Sequence, residues 1–141
     1  MKISRRRWIT LLSILGIFVA GYLTYIHISG QPIICGGSNS CELVNTSRFA
    51  FIGTVPIALL GLGMYLVLAA LSLIPVDEDR TWPDQVLFGI TLIGFLYSLY
   101  LTYIELFVLY AICWWCASSF VLITLIFFLS IPRRRTQPAE N

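Results

Sequence analysis

Four stretches of this chain, 8–28, 54–75, 86–106 and 113–131, are long, apolar and almost free of charge. Each approaches the ~20 residues that a helix needs to cross a bilayer core at a rise of about 1.5 Å per residue. Three hold no Asp, Glu, Lys or Arg, and 86–106 holds only Glu105, near one end. With 58% hydrophobic and 11% charged residues, the chain lacks the polar surface of a soluble domain of its size. No basic patch is left over for nucleic acid. The stretch from 86 to 131 is too long for one crossing, so it must fold back within 107–112. The first stretch follows Lys2 and Arg5 to Arg7, as a secretory signal would, but it is longer than a cleavable core and ends in Tyr22, Tyr25 and His27 rather than small residues. It is therefore expected to stay. These patterns predict an all-α membrane protein over 1–141, a single four-transmembrane-helix bundle with a loop between helices one and two and a tail at 132–141.

Basic residues set the expected orientation. Lys2, Arg5, Arg6 and Arg7 flank the first span and Arg133, Arg134 and Arg135 the last, which predicts cytoplasmic termini and an even number of crossings in a cell inner or plasma membrane. The loop 30–53 and the turn 107–112 then lie outside. Cys113 and Cys116 open the fourth span, 17 to 20 residues before Arg133. That is roughly 25 to 30 Å along a helix, which puts the pair at the outer face. Cys35 and Cys41 lie in the outer loop, so all four thiols share one side, where disulfides persist.

Disulfide exchange needs an attacking thiolate and a second thiol near enough to resolve the mixed disulfide. The Cys113-Trp114-Trp115-Cys116 pair at a helix start meets both needs, because a helix N-terminus favours negative charge. Cys113 is the expected nucleophile. Cys35 and Cys41 are joined by Gly36-Gly37-Ser38-Asn39-Ser40, a segment able to bend and carry a thiol to another partner. Zinc is disfavoured because one arm has five intervening residues. A static staple is the simplest account of the loop pair alone, and the second pair on the same face weakens it. Together the pairs can pass electrons through a mixed disulfide.

An internal repeat supports their meeting. Tyr22-Leu23-Thr24-Tyr25-Ile26 recurs as Tyr100-Leu101-Thr102-Tyr103-Ile104, and each copy is followed by a cysteine, Cys35 or Cys113, at the same offset of 13 residues. At the same 78-residue offset Gly16 matches Gly94 and Ile34 matches Ile112. Spans one and three run in the same direction, as a parallel repeat requires. The two halves are expected each to deliver a cysteine to one site at a shared bundle end.

The ordered set of Cys35, Cys41, Ser47 within Cys-Glu-Leu-Val-Asn-Thr-Ser-Arg-Phe, Gly53 and Pro56 entering span two, Tyr-Leu-Thr-Tyr-Ile-Glu-Leu and Cys-Trp-Trp-Cys resembles the vitamin K epoxide reductase family in its bacterial branch. The resemblance covers almost the whole chain, and its specificity lies in the combination. It implies a four-helix bundle around a quinone, menaquinone or ubiquinone, and a secreted thioredoxin-fold thiol oxidase as electron donor. By that resemblance Cys41 exchanges with the partner, Cys35 relays to Cys113, Cys116 stands next to the quinone, and Ser47 lies near it. Some relatives carry a thioredoxin-like domain after the last span; here the tail from Arg133 to Asn141 holds none, so the partner is expected to act in trans. Trp114 stands where many bacterial relatives have proline, and Phe120 where animal members have a tyrosine implicated in anticoagulant binding. Neither the redox poise of the pair nor inhibitor sensitivity transfers.

A dithiol releases two electrons and two protons on closing, the amount that converts a quinone to a quinol. Phe51, Tyr103, Trp114 and Trp115 are candidates to flank such a ring, although Trp and Tyr also form interfacial belts. Ser47 and Asn45 are candidates to hydrogen-bond a quinone oxygen or to cap a short helix before span two, and for Asn45 the cap is favoured. Glu105 and His27 occupy matching repeat positions and can accept thiol or quinol protons; both are read as hydrated groups near the interface. The expected activity is a thiol-disulfide:quinone oxidoreductase that sustains disulfide formation. The alternatives are a reductase whose main product is the reduced quinone, and a non-enzymatic membrane scaffold with structural disulfides or metal.

Overall fold

A computed structural model of the chain describes residues 2–32, 40–76 and 79–132. Cys35 and the tail 133–141 lie outside the described residues. The elements are α1 (Lys2–Ser29), α2 (Ser40–Thr46), a 3-10 turn (Arg48–Ala50), β1 (Phe51–Ile52), β2 (Val55–Pro56), α3 (Ile57–Leu73), α4 (Trp82–Phe107) and α5 (Trp114–Ser130). The long helices fall on the four apolar stretches. The expectation of helix alone needs one correction: β1 and β2 pair antiparallel, Phe51 opposite Pro56 and Ile52 opposite Val55. Gly53, at φ 64°, supplies the positive angle that a two-residue hairpin turn demands.

Local chemistry explains where the helices begin and end. α1 stops at Gly30, whose φ of 67° lets its N–H turn back to Ile26 O at 3.0 Å. α3 is shorter than the apolar run because the hairpin and Pro56 occupy its start, while Pro75 follows its end. α4 begins earlier than its apolar run, with Pro83 in its first turn and Asp84 beside the helix N-terminus. No glycine or proline marks the turn between α4 and α5. Tyr110 makes it instead, at φ 51°, with Ala111 N–H donating to Glu105 O at 3.0 Å.

α1 packs against α3 and α5, and α4 against α5 and α3. Ile9, Ala20, Tyr65, Leu68, Leu71, Leu87, Ile123 and Ile126 form the shared core, drawn from all four long helices. Hydroxyl pairs bridge the same helices: Thr10 and Ser72 at 2.8 Å, Thr91 and Ser130 at 2.8 Å, Tyr65 Oη and Ser119 Oγ at 2.9 Å. Other Thr and Ser hydroxyls donate to the carbonyl one turn back, as Thr24 does to Ala20, so polar side chains sit in apolar helices without loss.

One end of the bundle is held by arginines. Arg6 donates from Nη1 to Asp84 at 2.7 Å, from Nε to Ser72 O at 3.1 Å and from Nη2 to the carbonyls of Leu71 and Ile74, at the end of α3 where carbonyls run out of helical donors. Arg5 reaches Asp84 at 3.2 Å and Ile131 O at 3.5 Å. The starts of α1 and α4 thus meet the ends of α3 and α5. The other end carries α2, the hairpin and both cysteine elements, so neighbouring long helices alternate in direction.

The outer surface is apolar, with Phe18 70% and Ile93 71% exposed. Faces of that kind are rare on soluble monomers and natural against lipid. Ser4–Ser29 and Trp82–Phe107 are long and apolar enough to cross a membrane, and Ile57–Leu73 and Trp114–Ser130 are shorter apolar helices of 17 residues each.

Candidate active site

Two elements bring sulfur together at the end opposite the arginines. Cys41 lies in the first turn of α2, and Cys113 is the residue on which α5 starts, in extended conformation. Both are fully buried, and they share one cluster with Val44, Ala111, Leu109, Trp115 and Cys116. Cys41 is disulfide-bonded, whereas Cys113 and Cys116 are free thiols. Cys116 sits one turn into α5, its thiol within hydrogen-bonding reach of the Cys113 sulfur. The predicted pairing of Cys35 with Cys113 lies outside the described residues.

On the far side of Cys116 is a cavity of about 510 Å³. Its wall comes from all four long helices and the segment before α3, and it is mostly apolar. Polar groups gather at the cysteine end: Ser47, Thr102, Glu105, Cys116 and Ser119. Away from it the lining is Leu60, Met64, Ile90 and Ile93. Size and polarity match sites for amphipathic small molecules. The two neighbouring thiols of the Cys-Trp-Trp-Cys motif therefore have different surroundings. Cys113 is packed toward Cys41, and Cys116 opens on the cavity.

The remaining candidates divide. Ser47 lines the cavity, and its hydroxyl donates to Val44 O at 2.8 Å. Asn45 falls in the last turn of α2, so it cannot be the cap before span two; Ser47 holds that place at the 3-10 turn, without a side-chain cap bond. The side chain of Asn45 lies outside what is described. Four aromatic candidates stay off the cavity wall. Phe51 meets the edge of His27 at 4.9 Å between centroids, and Trp115 packs on Tyr22 at 4.6 Å. Trp114 is 68% exposed, and Tyr103 is 57% exposed with its ring against Phe107. Phe49, Tyr65, Tyr97 and Phe120 line the cavity instead.

Glu105 also departs from expectation. Read from sequence as hydrated, it is only 6% exposed and faces the cavity. Its Oε2 accepts the Cys113 N–H at 3.4 Å, and its carboxyl is within hydrogen-bonding reach of the Cys116 thiol. The signal was present: Ser98, Thr102 and Glu105, spaced by four and three, make one polar stripe down an otherwise apolar α4. Cys116 and Ser119 make its counterpart on α5.

Residues 7–131 match the family model described as the Vitamin K epoxide reductase family. The chain is also 32% identical over 128 residues to the thiol-disulfide oxidoreductase LTO1 of Arabidopsis thaliana, covering 85% of this chain and 34% of that protein. It thus spans about a third of that relative's length.

Proposed function

This chain belongs to the vitamin K epoxide reductase family, a family of redox enzymes, and on that premise we propose that it is a thiol-disulfide:quinone oxidoreductase. The observation that carries this function is the two-faced thiol pair: Cys113 packs beside disulfide-bonded Cys41, and Cys116 lines the apolar cavity. Electrons enter from the dithiol of a thioredoxin-fold thiol oxidase, which closes to a disulfide as the loop pair is reduced. The reduced loop thiol Cys35 then attacks the disulfide form of the Cys113/Cys116 pair at Cys113, Cys41 closes the loop disulfide again, and Cys113/Cys116 is left as the dithiol that carries two electrons and two protons. A membrane quinone, menaquinone or ubiquinone, held in the cavity takes both and leaves as quinol.

The chain's own residues divide the work. Cys35 and Cys41 exchange with the partner, Cys113 takes the attack from the loop thiol and Cys116 is the donor at the cavity. Cys41 is fully buried while disulfide-bonded, so exchange there requires α2 to lift from the cluster that Val44 anchors. Ser47 and Ser119 offer hydroxyl oxygens at the polar end, and the Phe49 and Phe120 rings offer flat apolar contact. Four crossings put both termini in the cytoplasm and the cysteines at the outer face, where the product is a disulfide-forming system. The apolar surface and the two long apolar helices support that placement.

Thiol trapping tests the function. With Cys116→Ala, quinone reduction is expected to stop while a mixed disulfide with the reduced thioredoxin-fold protein accumulates at Cys41. Quinone reduction undiminished in that variant would overturn the assignment of Cys116. Absence of quinone reduction in the unaltered protein would overturn the function and favour a scaffold.

A further inference from the structure

The mechanism above leaves one group at the site unused. Among the described residues, Glu105 is the single carboxyl on the cavity wall, and no Lys, Arg, His or Asp side chain lines it. The other titratable groups there are Cys116, Tyr65 and Tyr97. Tyr65 is engaged with Ser119 through its hydroxyl, at 2.9 Å to Oγ. A buried thiol that ionises needs an acceptor for its proton close at hand. Glu105 is the neighbour: buried, on the adjacent helix, in reach of the Cys116 thiol and also open to the space that a ligand would fill.

We propose that Glu105 is a catalytic residue, the base that takes the Cys116 thiol proton and hands it to the electron acceptor in the cavity. This rests on the thiol-to-quinone function above. In the forward step Cys116 gives its proton to the Glu105 carboxylate, and its sulfur becomes a thiolate. As Cys113 closes the disulfide with Cys116, two electrons pass to the quinone. One quinol hydrogen comes from Glu105 and the other from the Cys113 thiol. Glu105 ends as the carboxylate with which it began. Its hold on the Cys113 N–H, at 3.4 Å, keeps the carboxyl aimed at the start of α5 in both states.

Glu105→Gln preserves size and an oxygen to accept the Cys113 N–H but cannot take a proton. The first measurement needs no quinone. In a Cys113→Ala background, alkylation of Cys116 by iodoacetamide, followed by peptide mass, is expected to be about tenfold or more slower with Glu105→Gln, because the thiolate is the reacting form. Unchanged alkylation would overturn the proposal, and faster alkylation would show a carboxylate that merely repels the thiolate. In the second measurement, with Cys113 present, quinone reduction by the pre-reduced protein is expected to fall about 100-fold or more, the range of general-base contributions. Glu105→Asp, which keeps a carboxylate, is expected to recover most of both rates; an Asp variant as slow as Gln would overturn the base assignment. If the unaltered protein reduces no quinone, the function fails and the delivery half of the proposal with it. If the unaltered protein is active and Glu105→Gln matches it, only the role of Glu105 fails.

Discussion

At the scale of single residues, hydrogen-bond bookkeeping restricts what the site can recognise. The Ser47 hydroxyl has spent its one proton on Val44 O, at 2.8 Å, so toward the cavity it presents only lone pairs. Such an oxygen accepts from a quinol hydroxyl and gives nothing to a quinone carbonyl. Ser47→Ala is therefore expected to weaken quinol binding by about 2- to 10-fold, the worth of one neutral hydrogen bond, with little change in KM for quinone. Product-inhibition kinetics check this; an equal loss for both forms would contradict it. Cys41, Cys113, Cys116 and Ser47 stood out in the sequence by the spacing of thiols and hydroxyl around the loop and the fourth span, and the structure puts Cys116 and Ser47 on the cavity wall. That the four aromatic candidates stay off the cavity wall has an equally physical cause. Trp114 lies inside the motif and Tyr103 inside the repeat, yet both side chains are largely exposed, and a mostly apolar helix gives little sign of which side is inward.

Between elements, the repeat glycines have a use that sequence comparison alone did not assign. Gly16 on α1 and Gly94 on α4 both lie against α3, at the adjacent residues Tyr65 and Met64. Small residues let helices approach where lipid offers no hydrophobic drive to association. The two contacts differ in tolerance. A Cβ at Gly16 would stand 2.3 Å from the Tyr65 ring, which is buried and held by Ser119, whereas one at Gly94 would meet the Met64 sulfur at 2.6 Å. A thioether can swing aside and a tethered ring cannot. Gly16→Ala is expected to cost about 1–3 kcal/mol, as overpacked cores do, and Gly94→Ala less, measured by thermal unfolding in detergent. At the opposite end, Arg6→Ala breaks a largely buried pair with Asp84 and removes the guanidinium donor from the Leu71, Ser72 and Ile74 carbonyls. The expected loss is about 3 kcal/mol. Asp84→Ala should destabilise in the same direction without touching the cysteine end; loss of quinone reduction in a folded Asp84→Ala protein would contradict that separation.

For the molecule as a whole, the sequence predicted the number and order of long helices because charge-free runs of this length have few other fates. It predicted a turn within 107–112 but not its pivot at Tyr110, and it did not predict the hairpin or the wall of the cavity, which depends on contacts between distant apolar segments that look alike in one dimension. What emerges is a bundle with two chemically distinct ends. Arginines tie the four helix ends together at one, and at the other a disulfide, a thiol pair and a carboxyl surround the mouth of an apolar cavity. The central claim is that dithiol electrons cross this end through Cys116 to a quinone. The most direct measurement is stoichiometric: the purified protein, a reduced thioredoxin-fold protein and a soluble quinone analogue are mixed, and thiols lost are counted against quinol formed. The account predicts two thiols oxidised per quinol in the unaltered protein and no quinol in Cys116→Ala. Quinol formation that persists without Cys116, or thiol oxidation with no quinol produced, would contradict it.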